Sequence, residues 1–311
     1  MMMQRQAAVI VAGLVVACSA DKINSPTTGA VTQWIVDGMT IPLSGPQADQ
    51  LGSDLDGDAV PDNQLGTVLA ALAQAAGSGL DLQAGVDDGI ASGVVVQLIG
   101  FQSDDTTLAT DAAAAAHWYT GQPTAGFTTG AHTINGSVAA GSFVGNLAAR
   151  DYSSASPVTA VTPVAVMLPL KLFAAGDAIM LPLNGVHVQW HFSSTTGIAS
   201  GKLTGSIRQD DVANIFIPSL AQVLNATIQA DTSSETAHTL EGLFDDGGCG
   251  SAVAGDNLIE LCELQNNSLI QTLLRSDVRI YDGSGTYHPA SSGTANALSV
   301  GIGFTAVRTT F

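Results

Sequence analysis

Four aspartates alternate along a short stretch of the sequence, which reads SDLDGDAVPDNQLG over residues 53–66. Asp54, Asp56 and Asp58 occupy relative positions 1, 3 and 5, and Asp62 occupies position 9. Carboxylates on alternate residues of a turn can share one cation, and Ca²⁺ prefers about six to eight hard oxygens at about 2.3–2.6 Å. The spacing predicts one Ca²⁺ site: Asp54, Asp56 and Asp58 as monodentate ligands, the carbonyl of Val60 at position 7, and Asp62 bound directly or through water.

Mutual repulsion among these four aspartates favours a bound cation. Like charges so close together raise one another's pKa and destabilise the turn unless a cation neutralises them. Mg²⁺ is less suitable, because it seldom accepts so many protein carboxylates in a flexible loop. The alternative interpretation is an acidic, solvated turn that holds no metal.

The stretch resembles the Asp-rich loops of EF-hand-like, thrombospondin type 3 and dockerin modules, which read D-x-D-x-D-G-x-x-D. Two departures matter, because Ala59 stands where the EF-hand has glycine and Leu65 stands where it has its bidentate glutamate. The sharp turn must then be made with the help of Gly57, and one or two ligands must come from elsewhere. A micromolar or weaker affinity is the expectation, as for extracellular structural sites.

The elements around this loop predict a mainly β protein with a few helices. Leu65, Val68, Leu69 and Leu72 recur at helical spacing after the loop, so a helix is expected over residues 63–75. Strand-like runs broken by turn residues then follow over residues 93–102, 132–145, 163–173, 178–194 and 197–208, and a final strand lies near the C-terminus. The expected body is β-sandwich-like or a half-open barrel with helices packed on it.

Three further features of the chain are predicted from local patterns. The segment 29–44 is a first strand or a hairpin with Asp37 and Gly38 as its turn. A second helix covers residues 210–228, capped by Asp211 and kinked at Pro218. A third helix covers residues 257–275, with an interruption at Asn266 and Asn267 as the expectation.

The composition excludes some classes of partner. The chain has 311 residues, 46% hydrophobic and 12% charged, and its 9 Lys and Arg against 27 Asp and Glu give a net charge of -18. Such a protein is repelled by phosphate backbones, so no nucleic-acid partner is expected. Few charges and abundant small polar residues are typical of an exported β-rich protein.

The N-terminus supports export. An apolar stretch too short to span a bilayer follows Arg5, as in a signal peptide, and it ends in VVAC, which resembles the lipobox of bacterial lipoproteins. We therefore expect a signal peptide over 1–17, a lipidated Cys18 that attaches the protein to the membrane, a tether over 18–30, and one globular domain over 31–311 that contains the loop at 54–65. The alternative is an ordinary signal peptide cut near Ala17 or Ala20. Ser19 follows the cysteine, which by resemblance to enterobacterial sorting favours the outer membrane.

The other two cysteines form an even pair in an oxidising compartment. Cys249 and Cys262 close a short loop, and a disulfide between them is the expectation. A two-cysteine metal site is the competing interpretation, but no histidine lies near in sequence and structural zinc needs four ligands.

The order of these motifs along the whole chain resembles uncharacterised Asp-loop lipoproteins of large-genome Gram-negative bacteria. In such relatives the segment after the third helix is often a second Asp-rich loop. Here the segment reads SDVRIYDGSG, so Asp277 and Asp282 remain while Arg279 and Tyr281 occupy ligand positions. The second site is expected to be lost. The resemblance implies localisation and metal binding but no reaction.

No motif in the sequence predicts enzymatic activity. In the strand HVQWH, His187 and His191 are four residues apart, about 13 Å on a strand, which is too far for one ion. Neither a nucleophile elbow nor a phosphate loop occurs. The expected function is binding or adhesion at the cell envelope, with an unknown cell-surface ligand. The alternative is a carrier that encloses a lipid or another apolar ligand in a β-rich cavity.

Overall fold

The computed structural model describes residues 27–75, 81–138, 141–160, 163–247, 249 and 253–311. The predicted signal peptide and Cys18 lie outside the described residues. The strands are β1 Val31–Thr40, β2 Gln97–Gln102, β3 Ala115–Thr120, β4 Gly141–Ala148, β5 Asp151–Ser154, β6 Val166–Leu170, β7 Ile179–Phe192, β8 Gly197–Arg208 and β9 Ala297–Arg308.

These strands form an eight-stranded antiparallel barrel with one extra strand. Hydrogen bonding follows the order β5-β4-β3-β2-β1-β9-β8-β7, and β5 pairs with β7 to close the barrel. The extra strand β6 pairs with the first part of β7, as in Leu168 opposite Leu181, while β5 pairs with its last part, as in Tyr152 opposite Trp190. The predicted mainly β fold with helices is confirmed, and the sheet is a closed barrel rather than a sandwich or a half-open barrel.

The helices belong to two long connections that leave the barrel at the same end. They are α1 Gly45–Leu51, α2 Gln64–Ala75, α3 Leu82–Ala91, α4 Gln209–Asp211, α5 Ile217–Ala230, α6 Glu235–Phe244, α7 Leu261–Asn266 and α8 Ser268–Leu273. The first three connect β1 to β2, and the others connect β8 to β9. Because β1 is antiparallel to both β2 and β9, both connections leave the barrel at the same end.

Aromatic side chains fill the barrel interior. In β7 the inward residues Val188, Trp190 and Phe192 are buried, and they alternate with Gln189 and His191, which are partly exposed. This alternation is that of a strand with one face in the core. Seven aromatic rings from six strands form a chain of contacts with centroids 4.4–6.2 Å apart, namely Trp34, Phe101, Trp118, Tyr152, Trp190, Phe192 and Phe304.

Of the two alternatives for segment 29–44, the single strand is confirmed and the hairpin with its turn at Asp37 and Gly38 is wrong. Both residues lie inside the single long strand β1, and the register against β9 shifts between Val36 and Gly38. Asp37 accepts a hydrogen bond from the Thr305 hydroxyl at 2.7 Å. The Asp-Gly pair therefore makes a bulge, which bends the strand without reversing it.

The helix after β8 also differs from its prediction. Asp211 does not cap it, because the chain is already helical at Gln209 and a π-helical turn, Val212–Phe216, leads into α5. Pro218 is the second residue of α5, which directly follows the π-helical turn. The predicted interruption of the third helix is confirmed, because Asn267 separates α7 from α8 and its side chain accepts from two N–H groups of α8.

Candidate metal centre

The predicted metal-binding residues lie in the aspartate loop, residues 53–62, between α1 and α2. An antiparallel bridge joins the two ends of the loop, with Asp62 N–H donating to Ser53 C=O at 3.0 Å. The chain therefore enters and leaves the loop at nearly the same point, which holds the loop compact.

Three of the predicted carboxylates converge. Oxygen atoms of Asp54, Asp56 and Asp58 all lie within 4.8 Å of one another, close enough to bind one metal ion. Asp56 is buried, whereas Asp58 is exposed, so the group opens toward solvent on one side. Within the described residues, no other group of three or more His, Cys, Asp or Glu side chains meets this criterion.

Two residues with positive φ make the turn. Gly57 has a φ of +91° and Ala59 a φ of +68°. Asp54 accepts hydrogen bonds from both of their N–H groups, at 2.6 and 3.1 Å. A left-handed conformation costs an alanine roughly 1–2 kcal/mol relative to a right-handed one. The sequence departure at Ala59 therefore does not prevent the turn, because these contacts hold the backbone there.

The other two predicted ligands, Asp62 and Val60, lie outside the group of three carboxylates. The Asp62 carboxylate is not part of the group of three, and its Oδ2 accepts from Leu55 N–H at 2.7 Å. Burial raises the pKa of Asp62 to about 7, and the charges of Asp56 and Asp277 add to this effect. Val60 N–H donates to Asp58 at 2.7 Å. A valine side chain has no metal-binding atom, so only the carbonyl of Val60 could be a ligand.

Asp277 lies beside the aspartate loop, a placement that sequence reasoning missed. Burial raises its pKa most, and the charge of Asp56 raises it further. Its carboxylate accepts hydrogen bonds from the N–H and the hydroxyl of Ser299 on β9. The neighbouring Arg279 N–H lowers the pKa of Asp56, while burial of Asp56 and the charge of Asp58 raise it. The segment 276–285, expected from the sequence to be a lost second loop, thus contributes Asp277 and Arg279 to the surroundings of the aspartate loop.

Asp282, the other aspartate of that segment, is separate. The Ser284 hydroxyl donates to its carboxylate at 2.7 Å, and the N–H groups of Thr286 and Ser284 donate at 3.0 and 2.9 Å, so these hydrogen bonds lower the pKa of Asp282 within its own turn. No signal in the sequence distinguishes Asp277 from Asp282. Their roles depend on which of them packs against a loop that is distant along the chain.

The aspartate loop is fastened to the body by apolar and polar contacts. Leu55 is 1% exposed and packs in a cluster with Val278, Ile280 and Ala297. At the end of the loop, the Asn63 side chain hydrogen-bonds the backbone of Gly301. The loop therefore joins the first helical connection to the start of β9.

The two strand histidines have separate partners. His187 Nδ1 lies 2.9 Å from Ser154 Oγ, and burial lowers the pKa of His187. His191 Nδ1 lies 2.8 Å from Asp151 Oδ1. The two histidines therefore make separate contacts along β7.

The cysteine pair lies at disulfide distance. Cys249 and Cys262 are joined with their Cα atoms 6.0 Å apart, which links the segment after α6 to α7. In the part of the chain that the structure describes, no helix is both long enough and apolar enough to cross a membrane. The chain matches no family model, no curated protein and no solved structure.

Proposed function

We propose that this protein is a cell-envelope lipoprotein, attached to the outer membrane through Cys18, whose aspartate loop binds one Ca²⁺ as a structural clasp. Its role is binding or adhesion. The observation that carries the calcium assignment is the convergence of carboxylate oxygens of Asp54, Asp56 and Asp58 within 4.8 Å, in a loop whose two ends are joined by a β-bridge.

The donor set favours Ca²⁺ over other metals. All the candidate ligands are hard oxygens, and the loop supplies carboxylates of Asp54, Asp56 and Asp58, the carbonyl of Val60, and Asp62 directly or through water. Leu65 is buried in the core, so no side chain at that position supplies the bidentate ligand of an EF-hand. The dissociation constant is therefore expected in the micromolar range or weaker, toward the value of about 10⁻⁴–10⁻³ M of extracellular modules.

The proposed clasp acts through charge neutralisation. Burial raises the pKa of Asp62 and of Asp277, and the charge of Asp56 raises both further, so the simultaneous ionisation of these carboxylates opposes folding. A bound divalent cation replaces this repulsion with attraction and holds the first helical connection against β9.

Calorimetric titration of the full chain in detergent tests the calcium proposal. We expect one Ca²⁺ per chain and a lower melting temperature in chelator, and Asp56→Ala should remove both effects. Asp282→Ala is the matched control, because Asp282 is an aspartate of an exposed turn outside the group. No binding heat up to about 5 mM calcium, with identical melting curves in chelator, would contradict the proposal.

The second candidate function is carriage of an apolar ligand, with which a closed barrel is compatible. The aromatic rings of the barrel interior occupy the space that such a ligand would need, and this supports the binding role instead. Mass spectrometry of the purified protein separates the two, since a stoichiometric co-purified lipid supports carriage.

A further inference from the structure

A groove of about 410 Å³ lies on the outer face of the barrel, across β5, β7 and β8. The end of α1 forms one wall through Leu51, and Lys202 on β8 donates from Nζ to Gly52 C=O at 2.7 Å. The groove is therefore next to the aspartate loop but contains none of its aspartates.

Strand register arranges six polar side chains of the groove in two rows. One row consists of Asp151, His191 and Ser200, which are cross-strand neighbours on β5, β7 and β8. The second row, two residues along each strand, consists of Ser153, Gln189 and Lys202. Directly opposed residues have Cβ atoms about 4.5–5.5 Å apart, so the rows form a compact array on a rigid sheet.

The charges of this array are matched within the groove. His191 Nδ1 lies 2.8 Å from Asp151 Oδ1, and the Lys202 ammonium is bonded to Gly52 C=O. Gln189 Nε2 donates to Ser153 Oγ at 3.1 Å, and the Gln189 side-chain carbonyl oxygen can accept a hydrogen bond from a ligand. One acid, one lysine and one histidine give the groove almost no net charge, although the chain carries -18.

A groove of this kind suits a neutral ligand rich in hydroxyl groups. Hydroxyl, amide, imidazole and carboxylate groups together offer both donors and acceptors, which each hydroxyl of a sugar can use in turn. An anion would meet Asp151, and a cation would meet Lys202. The volume falls within the range of about 300–1,000 Å³ typical of small-molecule sites, and Leu51 offers an apolar wall for the C–H face of a ring.

We propose that this groove binds a neutral saccharide of one or two sugar units. The proposal supplies a ligand class for the binding role proposed above and rests on that role. It does not depend on the aspartate loop holding calcium, so the failure of the calcium titration and the failure of saccharide binding are separate results.

The Asp151, His191, Ser200 row has the residue types of a hydrolytic triad, but its geometry favours binding. A triad requires a serine hydroxyl within hydrogen-bond reach of the histidine and a site shielded from water. Within the described residues, the structure records no hydrogen bond between Ser200 and His191, and the Asp151 and His191 side chains are 69% and 44% exposed. A reporter ester such as p-nitrophenyl acetate should therefore not be hydrolysed faster than in buffer.

Saturation-transfer NMR on the full chain in calcium-containing detergent tests the proposal. The probes are glucose, galactose, mannose, N-acetylglucosamine and maltose at about 10 mM, with glucuronate as the anionic comparison. We expect at least one neutral sugar to show transfer and to bind more tightly than glucuronate. Absence of transfer from every neutral sugar, or preference for glucuronate, would overturn the proposal.

Variants locate the binding site. Gln189→Ala and Ser200→Ala should each raise the dissociation constant of the sugar by about fivefold to tenfold, since each removes hydrogen bonds to the ligand. Gln222→Ala, at an exposed residue of α5 outside the groove, is the matched control and should leave affinity unchanged. Undiminished binding in the folded groove variants would refute the assignment. Ser200 is exposed, so this variant decides the outcome if Gln189→Ala fails to fold.

Discussion

Asn63 occupies the place of a strand beside Gly301. Its Oδ1 accepts from Gly301 N–H at 2.7 Å and its Nδ2 donates to Gly301 C=O at 3.0 Å, although the residues are 238 positions apart. Pairing between β1 and β9 reaches Gly303 through Thr40 and then stops, so this edge of β9 would otherwise be unpaired at Gly301. One buried amide therefore completes the sheet where the backbone of β1 leaves it.

Replacing Asn63 tests the importance of this amide. Asn63→Ala leaves the buried N–H and C=O of Gly301 without partners, and each unsatisfied group costs about 1–3 kcal/mol. We expect the free energy of unfolding to fall by about 3 kcal/mol in urea denaturation with calcium present. Asn146→Ala on the exposed face of β4 should change it by less than about 0.5 kcal/mol. Equal effects of the two substitutions on the free energy of unfolding would contradict a stabilising role for the Asn63 amide.

Two glycine substitutions should have opposite effects on stability. A Cβ at Gly301 would lie 2.3 Å from Leu51 C=O, a backbone atom that cannot move freely, so Gly301→Ala should destabilise the fold by more than about 2 kcal/mol. A Cβ at Gly242 in α6 meets no atom within 4 Å. Gly242→Ala should stabilise by about 0.5–1 kcal/mol, because alanine has the higher helix propensity. Thermal unfolding of both variants measures the difference, and a stable Gly301→Ala protein would argue against the close contact.

Stability without metal should depend on pH through Asp62. Its pKa is raised from 3.8 to about 7, chiefly by burial, so the folded state binds the proton more tightly than the unfolded chain. This contribution is fully present below about pH 4 and is lost as the pH rises through about 7. In chelator, the urea concentration at the unfolding midpoint should therefore decrease as the pH is raised from 5 to 8, because Asp62 ionises over this range.

Asp62→Asn is the matched variant for the pH experiment. Asparagine keeps an oxygen that can accept from Leu55 N–H but does not ionise. We expect a smaller fall in the urea midpoint across this pH range, although the raised pKa of Asp277 leaves some dependence. Identical pH profiles for the variant and the natural protein would contradict the assignment of the effect to Asp62.

Removal of the disulfide should destabilise the protein. Cys249 and Cys262 are separated by 13 residues, and a cross-link over such a loop contributes roughly 3 kcal/mol in the chain-entropy model. The double substitution Cys249→Ser with Cys262→Ser should lower the urea midpoint accordingly. Adding a reductant to the natural protein should reproduce the shift, and should leave the double variant unchanged. A reductant effect on the double variant would indicate another cause.

The membrane anchor is tested at the N-terminus. If Cys18 is lipidated, Cys18→Ser removes the acyl chains, each buried CH₂ of which contributes about 0.8 kcal/mol to membrane binding. The variant should move from the membrane fraction to the soluble fraction and should lose incorporation of labelled palmitate. Membrane retention of the variant would instead favour an ordinary signal peptide or another attachment.

The sequence by itself determined several local features of this protein. Strand-like composition predicted a final strand near the C-terminus, where β9 lies, and apolar spacing predicted α2. The alternating aspartates predicted a loop in which three carboxylates converge. These features follow from side-chain periodicity and turn preferences, which act over a few residues and can therefore be recognised without a fold.

Only the tertiary structure decided the features that join distant segments. The sheet closes because β5 pairs with the end of β7, and no periodicity in either strand specifies its partner. Asp37 and Gly38 have the composition of a hairpin turn, but they form a bulge within β1 because Gly38 pairs with Thr305 on β9. Asp277 joins the aspartate loop, and the two rows of the groove arise from register across three strands. Such contacts depend on which surfaces pack together, since burial and pairing energies between distant residues leave no local pattern in the chain.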